Sequence, residues 1–279
     1  MKYRIVGDSC LDLTEELRNM DNLTIVPLVL QVDGVDYVDD SSFDQKRFLR
    51  AVAESAECPK SSCPSPESFK EAYGDDDTAV FGVTLSAELS GSYNSAMIGR
   101  QLALEEHPDK KIHIFNSRSA SVGQTLIAMN IVECAKAGCD FEETVEKVEA
   151  YIDKQQTMFV LENLETLRKN GRLTGVKATL VSVLNIKPVM IATPRGTIDQ
   201  KSLGRGMKKA VMKMAEEVGG LVKDTEDRVF GIAHCNCYER AITLKKEILK
   251  RYHFRDVIIV NTAGVSTMYA NDGGVIVAF

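Results

Sequence analysis

The stretch Thr78-Ala79-Val80-Phe81-Gly82-Val83-Thr84-Leu85-Ser86-Ala87-Glu88-Leu89-Ser90-Gly91-Ser92-Tyr93-Asn94 carries the reading of the fold. Ala79 to Val83 is an unbroken apolar run, the pattern of a strand buried on both faces. A loop of serine and glycine follows, and residues 92–106 then have helical spacing. The same order recurs outward in both directions. Tyr3 to Val6 is a short strand that turns at Gly7-Asp8-Ser9 before an acidic-started helix, Thr14 to Met20. Lys111 to Phe115 is a strand leading to a mostly apolar helix, Val122 to Ala137. Between them, Thr24 to Val32 is a β-branched run ending at Asp33-Gly34, a hairpin turn signal before Val35 to Val38. Ser42 to Glu54 has helical spacing at Phe43, Phe48, Leu49 and Val52, and Cys58 to Pro66 reads as a Pro/Ser-rich loop.

This rhythm predicts an α/β fold with a mainly parallel amino-terminal sheet, helices on both of its faces and ligands at the carboxyl ends of its strands. Gly138 is a C-cap and Asp140 starts a charge-rich helix, Phe141 to Gln156, after which we place a domain boundary: 1–156 and 157–279. The second α/β domain has strands at Met158 to Leu161, Ile186 to Ala192, Thr197 to Ser202, Val229 to His234 and Val257 to Val260. Its helices lie near Leu164 to Lys169, Met207 to Val218 and Tyr238 to Arg251. Thr193-Pro194-Arg195-Gly196 is a turn between antiparallel strands, so this sheet is expected to be mixed or antiparallel. The closing strand, Val275 to Phe279, could join either sheet.

The 279 residues carry 34 Lys and Arg against 40 Asp and Glu, a net charge of -6 that disfavours binding to nucleic acid. Asn185, Lys187 and Pro188 interrupt the apolar stretch from Val181 to Ile191, so no stable membrane insertion is expected. The amino terminus lacks a long apolar region, which together with seven cysteines in a large chain leads us to expect a cytoplasmic protein with free thiols.

Hydroxyl-rich loops carry the chemical signal. Asp8 to Asp12, Ser86 to Asn94, Asn116 to Ser121 and Lys60 to Pro66 each sit before a helix. A helix amino end offers unpaired N–H groups and a positive dipole end, so several such loops at one sheet edge would hold a small anion, although any one serine is ordinarily a cap. A phosphate loop, a complete dinucleotide fingerprint and a nucleophile elbow are all absent, and Gly204-Arg205-Gly206 is only a fragment before a basic helix. His107, His113 and His253 read as structural or exposed. His234-Cys235-Asn236-Cys237 lacks a second ligand pair, so no metal is expected and Asn236 is read as a helix cap.

In order along the chain, eight segments resemble the DegV family of bacterial fatty-acid-binding proteins, which includes the lipid-carrying subunits of fatty acid kinase. They are Asp8-Ser9-Cys10-Leu11-Asp12-Leu13, Pro27-Leu28 with Asp33-Gly34 and Tyr37, Ser61-Ser62-Cys63-Pro64-Ser65, and Leu89 to Ala96. The others are Ala120 to Gln124, Leu167 to Leu173, Leu184 to Pro188 and Arg205 to Ala210. The resemblance implies a two-domain fold with a long-chain fatty acid held between the domains and no cofactor or catalytic residue of its own. It also implies a role in phospholipid metabolism, presenting the acid to a separate ATP-binding kinase subunit for acyl phosphate formation.

Carried over by position, the carboxylate-binding hydroxyls fall on Ser61 and Ser90, with Ser62, Gly91 and Asn94 as neighbouring donors. Arg172 and Arg168 would lie near the head group or incoming phosphate, and Arg205, Lys208 and Lys209 would dock the kinase. Met97, Ile98, Leu126, Ile127 and Met129 have helical spacing that could line the acyl tunnel, although for each the commoner role of such a residue is packing in the core. The family's late Gly-Thr-His-Thr-Gly-Pro-Gly stretch appears here as Gly264 to Gly274, with Ser266 at the histidine position. A serine there can form hydrogen bonds but carries no imidazolium charge. Two rival readings use the same loops: an enzyme for a phosphorylated small molecule with Asp8 or Asp12 as acid, base or metal partner, and a lipid sensor without a kinase.

Overall fold

The computed structural model describes residues 2–173 and 185–279; Leu184 of the Leu184 to Pro188 segment, and the start of the Val181 to Ile191 stretch, lie outside the described residues. In the first half the order is β1 (Tyr3–Asp8), α1 (Glu15–Arg18), β2 (Leu23–Val26), β3 (Val29–Val32), β4 (Val35–Val38), α2 (Gln45–Glu54), β5 (Lys60–Ser62) and α3 (Pro66–Tyr73). Then come β6 (Ala79–Thr84), α4 (Ser92–Glu106), β7 (Ile112–Asn116), α5 (Val122–Lys136) and α6 (Phe141–Lys154). The second half runs β8 (Thr157–Val160), α7 (Glu165–Lys169), β9 (Ile186–Ala192), β10 (Ile198–Arg205), α8 (Met207–Leu221), β11 (Val229–His234), α9 (Tyr238–Arg251), β12 (Asp256–Asn261), α10 (Gly264–Ala270) and β13 (Val275–Ala278).

The first sheet is parallel throughout, ordered β2-β1-β6-β7. Alternate side chains of its strands enter two cores. Ile5, Phe81, Val83 and Phe115 pack against α1, α5 and α6, while Val6, Val80, Ile112 and Ile114 pack against α3 and α4. The second sheet is mixed, ordered β10-β9-β8-β13-β11-β12, and the closing strand β13 lies between β8 and β11, antiparallel to both. Met158 and Val160 of β8 face the core under α8 and α9; Phe159 faces the opposite side, with Ile276 of β13.

Helix α5 is the joint between the sheets. It is buried almost all round because its first-sheet face carries Ile127, Ala128 and Ile131 while Val122 and Leu126 reach β11. An apolar helix without an amphipathic stripe is buried on every side, and here it has two sheets to bury against. Gly231 on β11 makes the approach possible, since a Cβ there would sit 2.4 Å from Val122 Cγ2.

Four expectations change. The Thr24 to Val32 run is two strands, because Pro27 lacks the N–H that a continuous ladder needs and the Leu28 N–H instead donates to Ser9 Oγ at 3.0 Å. β3 therefore leaves the parallel sheet and builds a small antiparallel one, β4-β3-β5, with the expected two-residue turn at Asp33-Gly34 (φ 49° and 77°). The Cys58 to Pro66 loop contains β5, whose pairing partner is distant in sequence. Asn236 does not cap α9: it is left-handed (φ 51°), its amide donates to Asp272 Oδ1 at 3.0 Å, and Cys237 occupies the cap position. Helix α10 has no counterpart in the sequence reading.

Substituting Gly231 with alanine is expected to lower the unfolding free energy by about 1–3 kcal/mol in urea titrations, the usual cost of overpacking, because the added methyl meets α5 where the sheets join. An unchanged midpoint would show that α5 is not tightly held.

Candidate functional site

The carboxyl ends of β1, β6 and β7 open onto one face of the second sheet, and a cavity of about 840 Å³, its mouth included, lies between them. Its floor is Phe159, Leu161, Ala192, Ile198 and Ile276 from the second sheet. Cys10, Leu85, Leu89 and Ala120 come from the first-sheet loops, and Val265, Tyr269 and Ala270 from α10. Period-two alternation explains the floor: Phe159 and Ile276 point here because Met158 and Val277 point into the opposite core. The wall is almost wholly apolar.

A few polar groups interrupt this wall, among them Arg118, Ser119, Ser121 and Thr157. Ser61 on β5, Ser90 after β6, Ser266 on α10 and Arg172 after α7 all line the cavity. Ser61 Oγ is 3.2 Å from the Tyr269 hydroxyl, and Ser90 Oγ accepts from the Ser92 N–H at 3.2 Å. Arg172 donates through Nε to the Leu89 carbonyl at 3.0 Å and through Nη1 to the Asn170 carbonyl. No carboxylate pairs with this guanidinium among the described residues, and residues 174–184 contain no Asp or Glu. Arg118, the other arginine on the wall, is paired with Asp153 at 2.5 Å. Among the described residues the cavity thus presents one cation without a counter-ion beside hydroxyl groups, an arrangement suited to a carboxylate with an apolar body.

Several backbone N–H groups beside the cavity already hold an internal carboxylate. The Asp8 carboxylate accepts from the N–H groups of Cys10 (3.1 Å) and Leu85 (2.8 Å), Ser92 Oγ (2.6 Å) and Gln124 Nε2 (2.9 Å). Asp12 accepts from Ser121 Oγ (2.5 Å) and the Ala263 N–H (2.6 Å). Asp39 takes the Gly264 and Val265 N–H groups at 2.5 and 2.7 Å. Burial pushes all three carboxyl groups up, Asp12 to about 7 and Asp39 to about 6, against the opposing pull of these donors. Burial and the neighbouring Asp8 and Asp12 also push the Cys10 thiol well up, so it is no nucleophile. None of the three aspartates lines the cavity, which leaves them as ties between loops.

The remaining sequence candidates lie off the cavity wall. Ser62 is exposed because it follows Ser61 on a strand and so points the other way, its Oγ 3.5 Å from the Val29 carbonyl. Gly91 and Asn94 are exposed at the start of α4, and Arg168 is exposed and paired with Glu165 at 2.7 Å. Met97 and Ile98 border a shallow surface groove, while Leu126 and Ile127 fill the cores around α5 and Met129 packs against them. Arg205, Lys208 and Lys209 are exposed, with no ion pair among the described residues. The sequence reading missed Tyr269, Thr157, Ile198 and Phe159 as wall residues. Strand alternation around Phe159 was visible, but nothing local says which sheet face borders a void. Among the described residues no group of three or more His, Cys, Asp or Glu is placed to hold a metal, and no helix is long and apolar enough to cross a membrane.

Residues 2–279 match the family model described as uncharacterised proteins of the DegV family. The fold is similar to that of a DegV family protein from Ruminococcus gnavus whose crystal structure was refined with vaccenic acid, at 52% identity and a TM-score of 0.97, covering 99% of both chains. It is similar to a DegV family protein from Eubacterium eligens loaded with heptadecanoic acid, at 31% identity and a TM-score of 0.91 over 99% of this chain and 98% of that one. The Streptococcus pneumoniae Fatty Acid Kinase (Fak) B3 protein loaded with linoleic acid is 32% identical with a TM-score of 0.92, over 100% of this chain and 99% of that one.

The raised carboxyl groups set a pH dependence. A folded-state value above the unfolded one, about 4, gives stability that is complete below pH 4 and lost as pH rises through the folded value. Urea stability is therefore expected to decline between about pH 4 and 7, and Asp12→Asn, which cannot ionise, is expected to flatten that decline. Parallel curves for the two proteins would show that Asp12 does not hold its proton.

Proposed function

This chain belongs to the DegV family, and on that premise we propose that it binds one long-chain fatty acid in the cavity between its sheets, without a cofactor. The observation that carries the reading is Arg172, a guanidinium without a carboxylate partner among the described residues, on the wall of a mainly apolar cavity. Ser61 and Ser90 would donate hydroxyl hydrogens to the carboxylate beside it, and the acyl chain would lie over Phe159, Leu161 and Ile276. Each buried CH2 contributes about 0.8 kcal/mol, so the tail supplies affinity and the head group sets register. The units 1–156 and 157–279 would each form one side of the site.

The fatty acids in the related structures support this assignment, and the relative named as a fatty acid kinase B protein supports the further proposal that the acid is presented to a separate kinase subunit. The exposed Arg205, Lys208 and Lys209 form a basic face suited to an acidic partner surface. Ser266, whose hydroxyl reaches Cys10 Sγ at 3.7 Å and also faces Asp12, supplies no charge at the mouth; that favours a second reading, a lipid sensor without a kinase. Reconstitution with fatty acid kinase and an acyl phosphate assay separates the two. The enzyme reading has no support, because Asp8 and Asp12 are saturated by internal donors away from the cavity.

Organic extraction of the purified protein followed by mass spectrometry is expected to return one fatty acid per chain. Arg172→Gln is expected to weaken binding about 10- to 100-fold, the worth of hydrogen bonds to a charged group, and Ser61→Ala with Ser90→Ala by less. No acid after incubation with lipid, or full affinity in Arg172→Gln, would overturn the assignment.

A further inference from the structure

Two cysteines stand together where α5 gives way to α6, away from the cavity wall. Helix α5 ends in a turn in which the Gly138 N–H donates to the Ala135 carbonyl and the Cys139 N–H to the Cys134 carbonyl, both at 3.1 Å, with Gly138 left-handed (φ 82°). This is the Schellman ending, which brings the side chains of its first and sixth residues together. Those residues are Cys134 and Cys139. The bond between them keeps their Cα atoms within about 7 Å, a span that a disulfide can bridge. Both thiols are free, and they lie within hydrogen-bonding reach of each other.

The two sulfurs are unlike. The Lys147 ammonium, on α6, donates to Cys139 Sγ at 3.0 Å, and this contact pushes the ammonium's pKa up. Burial pushes the Cys134 thiol up, with Cys139 adding to the shift and Lys147 opposing it. The nearby carboxylates, Glu133 and Glu143, are exposed. A cation against a sulfur favours its nucleophilic form, so Cys139 is the attacking thiol and Cys134 the resolving one. Cys139 and Cys134 are only 6% and 7% exposed, but the turn that covers them is thin, with Lys136, Ala137, Gly138 and Asp140 all exposed.

The geometry points to a hydroperoxide-sensitive dithiol at the α5–α6 turn, in which Cys139 and Cys134 close to a disulfide. The Cys139 thiolate attacks the terminal oxygen of the hydroperoxide and the O–O bond breaks, leaving Cys139 as a sulfenic acid. The departing alkoxide or hydroxide takes the proton that Cys139 released on ionising. The Cys134 sulfur then attacks the sulfenic sulfur, the S–S bond forms, and the displaced hydroxyl leaves as water with the Cys134 thiol proton. The two thiols supply two electrons and the hydroperoxide is reduced by two. This site is independent of any ligand in the cavity.

The test is titration of the full chain, freed of reductant, with hydrogen peroxide, read by mass spectrometry without reduction. Trypsin cuts after Lys136, between the two cysteines, so the disulfide joins peptides 119–136 and 137–147. The wild-type chain is expected to lose two hydrogens and yield that linked pair before the exposed Cys63 gains oxygen, and dithiothreitol is expected to restore the starting mass. Cys134→Ser is expected to leave Cys139 carrying oxygen in place of the link, and Lys147→Met to slow linking about three- to tenfold, since the cation beside the sulfur is gone. Oxidation of Cys63 while peptides 119–136 and 137–147 stay unlinked overturns the proposal, a result read on the wild-type chain whether or not the variants fold. A link from either peptide to a different cysteine overturns it as well.

Discussion

Three buried carboxylates hold the mouth of the cavity in place. Asp8 ties the first and third strand loops of the parallel sheet to α4 and α5, and Asp12 and Asp39 together satisfy the first N–H groups around α10. A carboxyl group removed from water is tolerable only where donors surround it, and here the donors belong to segments more than a hundred residues apart. The loops cannot separate without leaving those groups unpaired. That constraint fixes where Ser90, Tyr269 and Ser266 stand, and so where a ligand head group finds its partners.

The same arrangement explains why the hydroxyl loops are not a general anion cradle. The start of α10 is already served by the internal Asp39, and among the described residues Arg172 is the wall cation without a charged partner. Recognition of an acid is thereby separated from the scaffold that positions it. The apolar floor comes from a different sheet altogether, and α5, buried between both sheets, sets the gap between floor and loops.

The legible parts of the fold were those written in local pattern. The unbroken apolar run of β6, the Asp33-Gly34 turn, the helix start at Asp140, and the strands Ile186–Ala192 and Val229–His234 follow from periodicity and turn chemistry. β5 escaped because a three-residue Lys-Ser-Ser strand has no hydrophobic pattern and exists only through pairing with β3. Helix α10 escaped because it is seven residues long and buried, and its amino end is stabilised by Asp39 from far along the chain. Of the candidate site, Ser61, Ser90, Arg172 and Ser266 share the cavity, whereas Ser62 is turned away by the two-residue period of its strand.

By itself, the sequence determined the alternation of strands and helices, the polar loops at their ends and the family resemblance, since these depend on residues close together in the chain. The tertiary structure alone decided which sheet face borders the void and which N–H groups are already taken. Those properties arise from contacts between distant segments, and no local pattern of side chains encodes which distant partner will arrive.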